Sequence, residues 1–530
     1  MTLVLNAIVF VCGAALMALE MVAARVLAPA LGNSIFVWGS VISSVMVALS
    51  LGYWLGGHLA DRFGASKTLA PVIAAAGLLT CAAPMMAGFA LPWAADLGPR
   101  AGSLAASALI FFAPSLLMAM VTPLGLRLAA SKGMAHIGRS AGSLSSISTG
   151  GSIVGTLATS FWLIPLLSLE PLIVAIGFLL LAAAVAALLL PLLYEAHTSP
   201  EGASERHLRA AGHIDRSATA VTLVLLTAAL ALGGWVLWKV APAPAVNAMG
   251  ETVLFRQDTQ YHRITVTQTG TTRNLRFDAT RQSGMDMSDG LTSRVRYPDY
   301  MQLSLALKPD AKRVLVLGLG GGAITKRFWH DYPEVSVDSV EIDPTVVDVA
   351  RTYFGLPEDA RSRAFAQDAR RFVQTATGTY DIVIMDAYYA EALPFHLTTQ
   401  EFFRETKARM SPDGVMAYNV ISALEGDKSK LFRSLYKTAG TVWTHLWVFR
   451  VNVGQGDVPT ARQNLIVLAT DSDTSGAELL ARVRAKVDGR VKVEGFADMA
   501  DDIYTGLVKT TDVPIMTDAY APTDSLISVE

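Results

Sequence analysis

Acids and glycines in the second half of the chain are spaced as a bound ligand would require. Gly318-Leu-Gly320-Gly321-Gly322 follows the apolar run Arg313-Val-Leu-Val-Leu and opens a helix-forming segment. Missing side chains at Gly318, Gly320 and Gly322 let a ligand approach the backbone and the helix N-terminus, or let the turn pack tightly for its own sake. Glu341 lies 19 residues beyond Gly322, at the end of the next apolar run, where a carboxylate commonly accepts from a ribose hydroxyl pair. Asp343 beside it either joins that site or caps a helix beginning at Pro344. Asp368 ends the following run and can accept from an adenine amino group or cap a helix from 369. Together these three turns point to a nucleoside ligand. A fourth run ends in Asp386-Ala-Tyr388-Tyr389-Ala-Glu391-Ala-Leu-Pro394-Phe-His396. An acid there can attract an ammonium group, accept a proton from an amine, or cap a strand. Tyr388, Tyr389, Glu391 and His396 either reach the same ligand or pack the loop.

The elements that must hold these residues alternate. Strands are predicted at 313–318, 336–342, 363–367, 380–386, 414–420, 444–451 and 464–469, with helices over 323–331, 344–354, 369–376, 398–410, 428–442 and 476–487. Such alternation predicts a doubly wound, mainly parallel α/β sheet, whose ligands lie beyond the carboxyl ends of the strands. Before it, 252–257, 261–269 and 273–278 read as a small antiparallel sheet.

Charge divides the chain in two. Of 88 charged residues only 19 fall within residues 1–250. Apolar runs long enough to cross a bilayer occur near 4–27, 35–57, 69–91, 104–126, 143–165, 169–193 and 218–238, predicting about seven spans. The first run lacks a basic leader and precedes further spans, so it reads as a resident helix rather than a cleaved signal. A polar loop covers 195–217, and Ala-Pro-Ala-Pro at 241–244 reads as a stiff linker. The expected organisation is a transmembrane helical domain over 1–240, a linker over 241–250, a small β domain over 251–310 and a Rossmann-like domain over 311–530. Lys and Arg concentrate in alternate loops, which puts the N-terminus in the cytoplasm and, with seven spans, the last domain outside; one span fewer reverses its side. The expected location is a multi-pass plasma-membrane protein with the lipid bilayer as partner.

Composition excludes several classes. Cys12 and Cys81, the only cysteines, both lie in apolar runs, so the polar half has no thiol for a zinc site, disulfide or nucleophile. Its histidines are scattered without ligand spacing, so no metal is expected. Residues 251–530 hold 32 Lys+Arg against 37 Asp+Glu without a basic stripe, which argues against nucleic acid. Self-association into a homo-oligomer is compatible with the sequence. Within the apolar half, Gly52-xxx-Gly56, Gly150-Gly151 and Gly155 read as sites of close helix approach, and Glu20 either faces a bundle interior or pairs with Arg25.

Over 313–419, the glycine turn, Val-Glu341-Ile-Asp343-Pro, Gln-Asp368-Ala-Arg and Tyr-Asp-Ile-Val-Ile-Met-Asp386 resemble the spermidine synthase family. The preceding segment, with Tyr261-His262-Arg-Ile, Asp278, Gln282 and Tyr297, is similar to that family's N-terminal strand domain, and the apolar half to its membrane-fused branch. The resemblance implies aminopropyl transfer from decarboxylated S-adenosylmethionine to a polyamine or related small amine. Glu341 would hold the ribose, Asp368 the adenine, and Gln282 and Tyr297 the substrate wall together with His262, Tyr388 and His396. Asp386, with Tyr389, would deprotonate or orient the attacking amine.

The chain also departs from that pattern. The acid expected within the glycine turn reads Gly321, the acid expected three residues after Asp386 reads Tyr389, and the glutamine of the first strands reads His262. Gln282 and Tyr297 are separated by a longer stretch than usual. Losing two carboxylates weakens recognition of a polycation. A methyltransferase using S-adenosylmethionine is therefore the alternative reading, followed by a polyamine transporter or a non-catalytic sensor. Gly52-Tyr-Trp-Leu-Gly56-Gly57-His58-Leu-Ala-Asp61-Arg62 also resembles the loop motif of major-facilitator transporters, although seven spans fall short of a complete one.

Overall fold

The computed structural model describes residues 2–31, 35–130, 137–195, 216–240, 246–247, 249–388, 393–451 and 458–527. The chain forms two compact units, Met1–Ala243 and Pro244–Glu530. The expected polar loop over 195–217 and linker over 241–250 lie largely outside the described residues.

The first unit is helical: α1 (Thr2–Leu31), α2 (Ile35–Leu59), α3 (Ala65–Ala95), α4 (Gly98–Ala130), α5 (Ile137–Ala158), α6 (Leu169–Glu195) and α7 (Arg216–Val240). Among the described residues, five stretches are long and apolar enough to cross a membrane. One of them, Ile35–Ala95, is 61 residues long and holds both α2 and α3. It doubles back near Gly64, whose φ of +85° ends the helical path. The serine- and glycine-rich α5, expected as a span, is not among the five. All the expected small residues but Gly150 stand at close helix approaches. A Cβ on Gly52 would lie 2.5 Å from the Leu116 carbonyl oxygen, and one on Gly56 2.8 Å from that of Met120, so α2 and α4 run parallel at near backbone contact. Gly151 and Gly155 of α5 likewise meet the backbone of Phe10 and Ala14 in α1, where a Cβ would stand 2.1 and 2.2 Å from the carbonyl oxygens. Gly150 faces open space. Asp61 pairs with Arg127 at 3.4 Å, bringing the α2–α3 turn and the end of α4 to one side.

The second unit begins with an antiparallel sheet of four strands, β1 (Thr252–Asp258), β2 (Arg263–Thr269), β3 (Thr272–Phe277) and β4 (Thr280–Asp286), paired in sequence order. The fourth is not among the expected strands. Asp278, at φ 53°, makes the tight turn that leads into it. A seven-stranded sheet follows in the order β10-β11-β9-β8-β5-β6-β7. Its members are β5 (Arg313–Leu317), β6 (Ser336–Glu341), β7 (Ser362–Ala366), β8 (Tyr380–Met385), β9 (Met410–Ser422), β10 (His445–Arg450) and β11 (Gln463–Thr470). Strands β5 to β9 pair in parallel, while β11 pairs antiparallel to both β9 and β10. Helices α8 (Ala323–Asp331), α9 (Pro344–Phe354), α10 (Ala369–Thr375), α11 (Gln400–Lys407), α12 (Lys430–Ala439) and α13 (Gly476–Arg484) connect or flank these strands.

Both faces of the large sheet are buried, which is why its strands read as continuous apolar runs. Val314, Val316, Ile382 and Ile384 fill one core, and Leu315, Leu317, Val383 and Met385 the other. The small sheet packs through Ile264, Val266, Leu275 and Met285 onto Val346, Val349 and Phe354 of α9. The strand order reverses between β5 and β8, so the crevice for a ligand opens above those two strands. A last segment crosses α11 and α12. Arg433 donates to Asp512 and to the Lys509 carbonyl, Ser434 to that of Pro514, and Lys437 to that of Val513. Met516 N–H donates to Thr438 Oγ1, and Thr399 Oγ1 to Asp518.

Candidate active site

The glycine turn is fixed from two sides. Gly318 N–H donates to Val340 O at 2.8 Å, and Asp386 N–H to Leu317 O at 2.8 Å, so the ends of β6, β5 and β8 stay in register past their last residues. At φ +96°, Gly318 takes a conformation that L side chains avoid, and a Cβ there would stand 2.2 Å from Asp386 O. Glu341 closes the turn. Its Oε2 accepts from Leu319 N at 3.1 Å and from Gly320 N at 3.5 Å, and its Oε1 from Asp343 N at 3.2 Å. Burial pushes this carboxyl up from its ordinary value, against those backbone donors. A carboxylate has about four lone-pair sites, so one remains for a ligand hydroxyl.

Asp343 is placed elsewhere. Its Oδ1 accepts from Thr345 N at 2.9 Å, capping α9 ahead of Pro344, and its Oδ2 accepts from Thr259 Oγ1. It is 1% exposed and is not part of the cavity wall. Capping, the second of the two readings of Asp343, describes its geometry. Asp368 caps its helix, one of the two readings of it, and faces the cavity. Its Oδ1 accepts from Arg371 N at 2.9 Å and caps α10, while Oδ2 faces His396 Nε2 at 3.0 Å. The His396 hydrogen bond holds this carboxyl below its ordinary value. Behind the pair, Arg370 donates to His396 O at 3.2 Å and is gripped by Glu405 and Asp518.

Asp386 stands at the end of β8. Its Oδ2 accepts from the Tyr297 hydroxyl at 2.9 Å and its Oδ1 from Asn419 Nδ2 at 2.8 Å. Asn419 Oδ1 in turn accepts from Asn464 Nδ2 at 3.0 Å. Burial pushes the Asp386 carboxyl up to about 7, although the Asn419 amide and Tyr297 hydroxyl pull it down. The same burial, with the Asp386 charge, keeps the Tyr297 phenol protonated. This is a carboxyl poised to exchange a proton near neutrality.

These groups line one cavity of about 610 Å³, within the size range of small-molecule sites. Of the expected site residues, His262, Gln282, Tyr297, Gly318, Gly320, Glu341, Asp368, Asp386, Tyr388 and His396 all face it. Gly322 lies one step behind, at the N-cap of α8. Tyr389, the other expected catalytic residue, and Glu391 lie outside the described residues. The Tyr388 hydroxyl is already committed: it donates to Asn419 O at 2.8 Å and accepts from Ile421 N at 3.0 Å, fastening the loop to β9. His262 is buried, stacked on Phe277 at 4.6 Å, with Nδ1 3.6 Å from Asp278 Oδ2. Asn419 is the partner that sequence reading missed. Its signal was a buried amide within the apolar run Val415-Met-Ala-Tyr-Asn419-Val-Ile.

A sequence model described as the spermine/spermidine synthase domain matches residues 298–473. A polyamine aminopropyltransferase from Vibrio vulnificus is 32% identical over 215 residues, covering 39% of this chain and 70% of that protein. The chain belongs to the spermidine synthase family. A family member from Chromobacterium violaceum, also named polyamine aminopropyltransferase, is 32% identical over 188 residues, spanning 35% of this chain and 66% of that protein. A probable polyamine aminopropyl transferase from Bifidobacterium longum is 27% identical, and the match spans about half (51%) of its length. Among solved structures, spermidine synthase from Thermotoga maritima aligns with 48% of this chain and 84% of its own, at 17% identity and a TM-score of 0.38. Within the second unit, residues 298–473 form a spermidine-synthase-type domain.

Proposed function

We propose that the second unit transfers an aminopropyl group from decarboxylated S-adenosylmethionine to the nitrogen of a small amine, in a protein whose first unit spans a lipid bilayer. The observation that carries the reading is Asp386, a half-buried carboxyl poised near 7 between Tyr297 and Asn419, facing a cavity shared with Glu341 and Asp368. Glu341 and the glycine turn offer a ribose acceptor beside a wall with no side chains. Asp368 offers the adenine amino group a carboxylate held in its ionised form. The sulfonium donor supplies the leaving group: the amine nitrogen bonds to the carbon next to sulfur, and that carbon–sulfur bond breaks with its electrons going to sulfur. Asp386 Oδ atoms take the proton that the nitrogen sheds, which keeps the attacking amine neutral. Tyr297 and Asn419 fix the direction in which the carboxylate points. The five apolar helical stretches support a membrane-spanning first unit.

The test is to incubate the purified full-length protein with a mixed amine extract and, in separate reactions, S-adenosylmethionine or its decarboxylated form, and to identify the nucleoside by-product by mass spectrometry. Methylthioadenosine is expected. S-adenosylhomocysteine, formed only from the intact cofactor, would replace this reading with methyl transfer.

A further inference from the structure

The carboxyl at the end of β8 is held by a chain of amides that reaches β11, a strand the transfer reading does not use. Met385 pairs with Tyr418, which brings Asp386 level with Asn419 on β9. Asn419 lies opposite Ile466 on β11, so Asn464, two residues along, projects from the same face of the sheet. Asn464 Nδ2 donates to Asn419 Oδ1 at 3.0 Å, and Asn419 Nδ2 donates to Asp386 Oδ1 at 2.8 Å. All three residues line the cavity. Asn419 is buried and Asn464 half-buried, so water is a poor substitute for either bond at the Asn419 amide.

An amide can face a carboxyl in two ways. With its nitrogen toward the carboxyl it donates, which favours the ionised form; with its oxygen toward it, it can only accept from the protonated form. Asn464 decides between them. Turning the Asn419 side chain over would set its nitrogen against Asn464 Nδ2, donor against donor, in the same movement that brought its oxygen to Asp386. The other groups around the carboxyl are Tyr297, which donates to Oδ2, Glu341, whose charge opposes ionisation, Tyr388 on the loop after β8, and Arg462, which bears on Tyr388. Burial raises Asp386 to about 7, and Asn419 and Tyr297 are the partners that oppose it.

We propose that Asn464 is a positioning residue for the transfer: by fixing the Asn419 amide with its nitrogen toward Asp386, it keeps that carboxyl in its proton-accepting form. The inference rests on the transfer reading above and adds to it a residue that acts through another. Without the Asn464 donor, the Asn419 amide can turn and accept from the protonated carboxyl. The proton is then held more tightly, and a higher pH is needed to remove it. One hydrogen bond exchanged in this way displaces the midpoint by about one pH unit.

The experiment compares the full-length parent with Asn464→Leu, close in size but without a donor, and with Asn464→Val should the first fail to fold. Methylthioadenosine formation from the decarboxylated donor and the mixed amine extract is followed on either side of pH 7, and comparison with the parent cancels the titration of the amines themselves. The carboxyl is followed separately through the infrared C=O stretch of its protonated form, taken as the difference from Asp386→Asn in the same background. In Asn464→Leu both midpoints are expected to rise by about one pH unit, so that turnover falls roughly tenfold below the midpoint and stays within about twofold well above it. In an Asn419→Leu background, Asn464→Leu should move neither midpoint further. A midpoint unchanged in either measurement, or a loss of turnover equal at every pH, overturns the inference and leaves aminopropyl transfer standing. No methylthioadenosine from the parent at any pH overturns the transfer reading and this inference with it.

Discussion

Replacing Asp386 by Asn separates the chemistry of this carboxyl from its place in the fold. Asparagine keeps the shape and both hydrogen bonds: its Oδ1 accepts from Asn419 Nδ2, and its Nδ2 can donate to the Tyr297 oxygen. What it removes is the ionisation. The folded chain holds the Asp386 proton more tightly than the unfolded chain between the ordinary 3.8 and about 7, so stability falls as pH rises across that window and the whole cost is present above it. At 1.36 kcal/mol per tenfold, that displacement corresponds to an upper value of about 4 kcal/mol. Asp386→Asn is therefore expected to be about 1–4 kcal/mol more stable than the parent at pH 8.5, to keep less than about half of that advantage at pH 5, and to be about equal to it near pH 3. Urea unfolding of the full-length protein, with the second unit followed by pulse proteolysis, reads the difference. Turnover should fall by roughly 10²-fold or more with the proton acceptor gone, while the parent's kcat/KM rises with pH through about 7. A variant destabilised equally at all three pH values would refute the reasoning, because it would mean that the carboxyl is ionised in the fold and stabilising there.

Other substitutions test the surroundings. Glu341→Gln should lower affinity for methylthioadenosine by about 10-fold or more without changing the circular dichroism spectrum, as measured by calorimetry, since one oxygen that faces the ligand becomes a donor. Gly318→Ala should cost at least about 3 kcal/mol in urea unfolding, because its Cβ meets the Asp386 carbonyl at an unfavourable φ. Gly320→Ala, at φ +52° with open space around it, should cost only about 1–2 kcal/mol. In the first unit, Gly155→Leu should abolish a monodisperse peak on size-exclusion chromatography in detergent, whereas Gly150→Leu, with nothing within 4 Å, should leave it unchanged.

The alternation of strands and helices in the second unit was legible because a parallel sheet covered on both faces leaves apolar runs that turn residues interrupt. Arg313–Leu317, Ala323–Asp331 and Pro344–Phe354 fall almost where pattern places them. Glu341, Asp368 and Asp386 were legible because sheet topology puts the last residue of each such strand at the crevice. What pattern missed depends on partners remote in sequence. Strand β4, Thr-Arg-Gln-Ser-Gly-Met-Asp, has no apolar alternation, and pairing with β3 decides its conformation. Met410–Pro412 extend β9 because Tyr380 pairs with Met410 across an irregularity before Ile382 meets Val415. Asn419 reads as one polar interruption until Asp386, 33 residues away, is set opposite it. The arginines of the cavity wall sit on β4, on the segment before Tyr297 and ahead of β11, and no local pattern announces that these three stretches converge.

The segment that crosses α11 and α12 gives the site a timetable. Asp518 meets Arg370 across 148 residues, and closing a loop of that length costs about 4 kcal/mol of chain entropy before any contact repays it. The strand and helix units of the sheet, whose partners are much nearer in sequence, form ahead of such a closure. Arg370 also holds the His396 carbonyl, and His396 faces Asp368. The end of the cavity at Asp368 and His396, where the adenine is proposed to sit, is thus expected to mature last, and a refolding chain is expected to regain its secondary structure before it can hold a nucleoside.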